Sequence, residues 1–104
     1  MKFDRYERRS EERRAINLPV KWDGMSGTQE AHLEDISLGG CFVNSTARVE
    51  VREVISLEIR LPSGYWFPLR GEVTSCQPGI GFGLLFSFLT EEEEELLKDL
   101  IESS

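Results

Sequence analysis

The chain has 104 residues, of which 39% are hydrophobic, 10% aromatic and 30% charged, with a formal net charge of −7. That length predicts one domain with a single core, and that composition excludes a wholly disordered chain. No apolar run approaches the ~18 residues of a membrane span, and Met1–Asp4 leads into charge rather than an apolar signal core. No membrane insertion and a cytoplasmic location are therefore expected. Cys41 and Cys76 are too few for a disulfide framework and lack zinc spacing, so reduced thiols fit best.

Charge is unevenly spread. Residues 1–22 hold seven basic groups against four acidic ones, and the remainder holds five against fifteen. An acidic body is a poor partner for DNA or RNA, because phosphate neutralisation dominates that affinity. A short arginine-rich arm on such a body still suits a small anion.

Residues 1–14 are almost wholly polar and read as a flexible arm. In a helix, Arg5, Arg9 and Arg13 would stack at i, i+4 spacing, and like charges there are destabilising. From residue 15 the pattern alternates. Ile16, Leu18, Val20 and Trp22 mark a half-buried strand whose Pro19 demands an edge or a local break. Asp23-Gly24 and Ser26-Gly27 turn into a second strand from about Thr28 to Ile36, with Ala31 and Leu33 on its apolar face. Gly39-Gly40 precedes a third strand at Cys41-Phe42-Val43. Ile55, Leu57, Ile59 and Leu61 form a fourth, Pro62-Ser63-Gly64 a reverse turn, and Phe67, Leu69 and Val73 a fifth. Pro78-Gly79 leads into a sixth from Ile80 to Phe86. Six short strands with close turns predict an all-β domain, a small barrel or sandwich. Thr90 with Glu93 is a capping box, and Leu96, Leu97, Leu100 and Ile101 give a short terminal helix its apolar stripe.

Catalytic arrangements are not apparent. His32, Asp35 and Ser37 supply the residue types of a triad, but on an extended strand His32 points to the opposite face from the other two. No nucleophile elbow surrounds the serine. One histidine and two isolated cysteines leave a metal site without ligands. The glycines of Gly79-Ile80-Gly81-Phe82-Gly83 continue a strand and open no helix, so close backbone approach or curvature is their better reading. No enzyme, metal or cofactor is expected.

Two segments carry binding chemistry. In Arg8-Arg9-Ser10-Glu11-Glu12-Arg13-Arg14, planar forked guanidiniums pair phosphate oxygens bidentately and stack on flat rings. A solvated tail with Glu11 and Glu12 as internal partners is the competing reading, and composition does not separate them. In Asp35-Ile36-Ser37-Leu38-Gly39-Gly40, a carboxylate in a tight turn can accept two parallel hydrogen bonds, as a guanine edge donates. A polar turn cap made by the Asp and Ser side chains is the alternative.

Taken together, Arg8-Arg9-x-x-x-Arg13, Leu18-Pro19-Val20, Asp35-x-Ser37-x-x-Gly40 and Gly79–Phe86 followed by a helix from Thr90 resemble the PilZ domain family. The resemblance runs from about Arg8 to Ile101. It implies a six-stranded antiparallel β-barrel over residues 15–104, with a C-terminal helix over 90–102 and the arm at 1–14. It also implies a receptor for the second messenger cyclic di-GMP in a bacterial cytoplasm. By that analogy Arg9 and Arg13 grip the phosphates and stack on guanine, and Arg8 adds a contact. Asp35 and Ser37 contact a guanine, Gly40 keeps the turn compact, and Gly81 is a further candidate. Signalling would pass through a downstream protein partner. The alternative is an interaction adaptor of the same fold that binds no nucleotide. The chain departs from the family in Arg14, where an apolar residue is usual, and in a linker, Ser45–Glu53, without the usual glycine.

Overall fold

A computed structural model describes residues 13–103, and structural statements below refer to these. Residues 1–12, and with them Arg8, Arg9, Glu11 and Glu12, lie outside the described residues. The chain forms strands Arg14–Ala15 (β1), Pro19–Gly24 (β2), Gly27–Ile36 (β3), Gly40–Asn44 (β4), Val54–Arg60 (β5), Trp66–Gln77 (β6) and Gly81–Phe86 (β7), then helix Glu91–Glu102 (α1). Every pairing is antiparallel. The order β3-β2-β5-β6-β7-β4 closes through β4 on β3, and β1 pairs with the end of β3 on the same edge that β2 occupies. The expected six-stranded barrel with a terminal helix is therefore the fold, with one short strand more.

Alternation places the core. In β5, Ile55, Leu57 and Ile59 are buried while Ser56, Glu58 and Arg60 are exposed. Trp22 and Phe82 meet edge to face in the interior, with ring centroids 5.4 Å apart and planes at 82°. Burying side chains of this size stabilises the fold by ~1.5–3 kcal/mol each. In the aromatic run Tyr65-Trp66-Phe67, alternation separates Trp66 from Phe67, while Tyr65 lies ahead of β6, outside the strand. Phe67 is buried, Tyr65 is exposed, and the half-buried Trp66 ring carries Lys21 Nζ at 4.3 Å.

Two irregularities reset the alternation. Leu33 pairs with Val43 and Asp35 with Phe42, leaving Glu34 as an extra residue in β3. Leu33 and Ile36, three positions apart, are consequently both in the core. Alongside, Ile16, Asn17 and Leu18 lie between the pairs Ala15↔Asp35 and Pro19↔His32. This break accommodates Pro19. It opens β2, which lies between β3 and β5 rather than at an edge, and pairing with β5 begins only at Val20. Thr74 is a second extra residue, in β6 opposite β7.

Turns follow their chemistry. Gly64 N–H donates to Leu61 O at 2.8 Å, closing the turn at Pro62-Ser63 with Gly64 at φ 96°. Ile80 belongs to the Gln77–Ile80 turn rather than to the strand that follows, its N–H donating to Gln77 O at 2.9 Å. In the glycine-free linker, Arg52 adopts φ 80°, the left-handed conformation a glycine would hold at less cost. Thr90 and Glu93 form the capping box, with Glu93 N–H to Thr90 Oγ1 at 3.1 Å and Thr90 N–H to Glu93 Oε1 at 3.0 Å. Leu97, Leu100 and Ile101 join the barrel core. Arg70 of β6 ties the helix start down, donating to Phe88 O at 2.6 Å and to Glu93 Oε1 at 3.2 Å. Among the described residues, no helix is long and apolar enough to cross a membrane.

Candidate functional site

The short strand β1 positions the site. Pairing of Ala15 with Asp35 brings the chain entry alongside the end of β3. Arg13 Nη1 there donates to Asp35 Oδ1 at 2.6 Å. Arg13 is half exposed and Asp35 less so, which leaves guanidinium and carboxylate surface for a further partner. Arg13 and Asp35, 22 residues apart, thus act as one charged unit on the barrel's outer face.

Beyond Asp35 the chain turns. Ser37 N–H donates to Gly40 O at 2.8 Å. Ser37 Oγ accepts from the N–H groups of Gly39 and Gly40, each at 3.2 Å, and its hydroxyl donates to Gly40 O at 3.3 Å. Ser37 is 2% exposed, so its hydroxyl serves its own backbone. Gly40 is needed for close approach, because a Cβ there would collide with the Leu84 carbonyl. Arg13, Ser37, Gly39 and Gly40 line a surface depression of about 470 Å³ together with Thr74, Leu84 and Leu85.

Gly81 is not brought to this depression. It pairs with Asn44, whereas Gly40 pairs with Leu85, so the two glycines lie toward opposite ends of the β4–β7 ladder. A Cβ on Gly81 would collide with the Val43 carbonyl and come within 2.6 Å of Phe42 Cε2. Its visible role is packing. Thr74 and Leu85 were not marked by the sequence motifs. The alternation of β7 around Phe82 and Leu84 turns Leu85 outward, but the bulge at Thr74 has no local signal.

Burial pushes the Cys41 thiol up to about 12, outweighing the Arg13 charge that favours its thiolate, so Cys41 is inert. The bulge at Glu34 brings His32 and Asp35 both to the outer side, unlike an uninterrupted strand, while Ser37 turns inward. His32 instead stands opposite Asn44 and lines a separate depression of about 610 Å³ with Asn17, Glu34 and Asn44. Among the described residues, no group of three His, Cys, Asp or Glu side chains is placed to hold a metal ion.

The PilZ domain model matches residues 7–103, so the chain belongs to the PilZ domain family. No curated protein matches it. Among solved structures, the PilZ domain of CeSA from a cellulose-synthesizing bacterium is similar at 19% identity and a TM-score of 0.70, over 88% of this chain and 96% of that one. The Bacillus subtilis inhibitor of motility MotI/DgrA is similar at 18% identity and a TM-score of 0.72, over 88% of this chain and 47% of that one. The Borreliella burgdorferi PlzA protein, solved in complex with c-di-GMP, is similar at 18% identity and a TM-score of 0.60, over 95% of this chain and 44% of that one. This chain therefore spans less than half of the latter two proteins, and the likeness is one of fold.

Proposed function

We propose that this protein is a cyclic di-GMP receptor that performs no turnover and passes its signal to a protein partner in the bacterial cytoplasm. The observation that carries the reading is the Arg13–Asp35 pair beside the Ser37–Gly40 turn, in a PilZ domain. Arg13 supplies a forked cation for phosphate oxygens and a flat face for a base. Asp35 supplies a two-oxygen acceptor for the guanine ring N–H and amino group. Ser37, by tying Gly39 and Gly40, holds the rim of the depression rigid, and Gly40 keeps it close to β7. Arg8 and Arg9 add further guanidiniums, and binding orders residues 5–12 against the barrel, continuing from Arg13 and Arg14, which already lie against β3. A similar solved protein, PlzA, carries the same dinucleotide, which supports the choice of ligand.

The energetics allow the exchange this requires. A half-exposed ion pair is worth only ~0–1 kcal/mol. A charge-assisted hydrogen bond to a ligand contributes ~1.5–3 kcal/mol. The ligand therefore outcompetes the internal partner. Amide exchange over residues 5–12 tests the ordering step. Exchange slowed by cyclic di-GMP is expected, and unchanged exchange in the ligand-saturated protein would contradict it.

A further inference from the structure

Phe42 stands directly opposite Asp35 in the β3–β4 ladder and opposite Gly83 in the β4–β7 ladder. Its neighbours Cys41 and Val43 are buried in the core, so Phe42 projects from the outer face, where it is half-buried. The ring lies down across β7. A Cβ on Gly81 would meet Phe42 Cε2 and Cζ at 2.6 and 3.0 Å, and one on Gly83 would meet Cδ1 at 4.0 Å. From the other side, Thr74 Oγ1 and Ser75 Oγ each lie 3.1 Å from that same point over Gly83. The bulge in β6 is what delivers both hydroxyls there, since Ser75 pairs with Gly83 and Thr74 is the extra residue.

The result is a flat shelf whose surface is the Phe42 ring laid over the buried backbone of Gly81 and Gly83, with two hydroxyls at its edge. Through Thr74 it is continuous with the depression that Arg13 and Gly40 line. Aromatic faces stack on any base, and hydroxyls both donate and accept, so they suit the mixed edge of a purine. Resting on the receptor reading above, we infer that this shelf is a base-stacking subsite. One purine of the dinucleotide stacks on Phe42, with Thr74 and Ser75 at its polar edge and its phosphate turned toward Arg13.

Calorimetric titration of cyclic di-GMP into wild type and Phe42→Leu tests this, with thermal unfolding of both as the control. Leucine keeps apolar cover over Gly81 and Gly83 but removes the stacking face. Binding weakened about tenfold at an unchanged unfolding midpoint is expected. The conservative variant Phe42→Trp should retain the affinity and show indole fluorescence quenched by the dinucleotide, relative to wild type. If wild type binds and Phe42→Leu binds equally well, the shelf is not a subsite. The same follows if the introduced indole is not quenched at saturation. If wild type does not bind at all, the receptor reading falls and the subsite falls with it.

Discussion

Arg13 Nη1 donates to Asp35 Oδ1 at 2.6 Å, so the guanidinium assigned to a phosphate and the carboxylate assigned to a guanine edge hold each other. The contact is made by β1, a two-residue strand whose pairing with β3 delivers Arg13 to its place. The pair keeps both groups oriented, and neither is buried deeply enough to be trapped.

Arg13→Ala should separate binding from stability. Losing a charge-assisted contact is expected to cost ~1.5–3 kcal/mol of cyclic di-GMP affinity, about tenfold or more. Removing a half-exposed ion pair should change folding stability by less than ~1 kcal/mol. Titration and urea unfolding of the variant check the two halves, and unaltered affinity would remove Arg13 from the site.

Ser37→Ala should act the other way round. The buried hydroxyl accepts from Gly39 and Gly40, so its loss strands backbone donors in a turn 2% exposed at this position. A cost of ~1–3 kcal/mol in folding stability is expected, with any loss of affinity following from the loosened turn. A variant as stable as wild type that no longer binds would assign Ser37 to the ligand directly.

Much of this fold was legible in the sequence because strand alternation and helix capping are local. Ile55, Leu57 and Ile59 point inward as their spacing predicts, and Thr90 with Glu93 caps the helix. The bulges at Glu34 and Thr74 were not legible, because register is decided by partner strands far away in sequence. That is why His32 faces outward with Asp35, and why the hydroxyls of Thr74 and Ser75 over Gly83 were missed. Arg13 and Asp35 were marked by their motifs, but their mutual contact depends on the pairing of β1.

Arg52→Gly should stabilise the protein. Arg52 holds φ 80°, which costs a side-chain-bearing residue ~1–2 kcal/mol, while glycine's added entropy loss is ~0.5–1 kcal/mol. A net gain of up to ~1 kcal/mol is expected in urea unfolding, and a loss would mean the Arg52 side chain contributes more than its backbone costs.

Glu53 joins the tip of the β2–β3 hairpin to the turn before β5. Its carboxylate accepts from Ser26 N–H at 2.7 Å, Ser26 Oγ at 2.6 Å and Glu50 N–H at 3.0 Å. Burial alone would push its carboxyl up, but these bonds and one from the Met25 backbone outweigh it and leave the group below its ordinary range. A lowered carboxyl stabilises the fold at pH above the ordinary glutamate range and loses that contribution as pH falls through the lowered value. Glu53→Gln should lower stability by ~1 kcal/mol at neutral pH and flatten this acid limb. Identical pH profiles for variant and wild type would contradict the assignment.

The most direct test of the receptor reading is calorimetric titration of cyclic di-GMP into the wild-type protein at moderate salt, with cyclic di-AMP as the base control. Saturable binding of the guanine dinucleotide, with none or far weaker binding of the adenine one, is the predicted result. No binding of cyclic di-GMP at high micromolar protein and ligand would contradict it, and would leave a PilZ domain that acts as a nucleotide-independent adaptor.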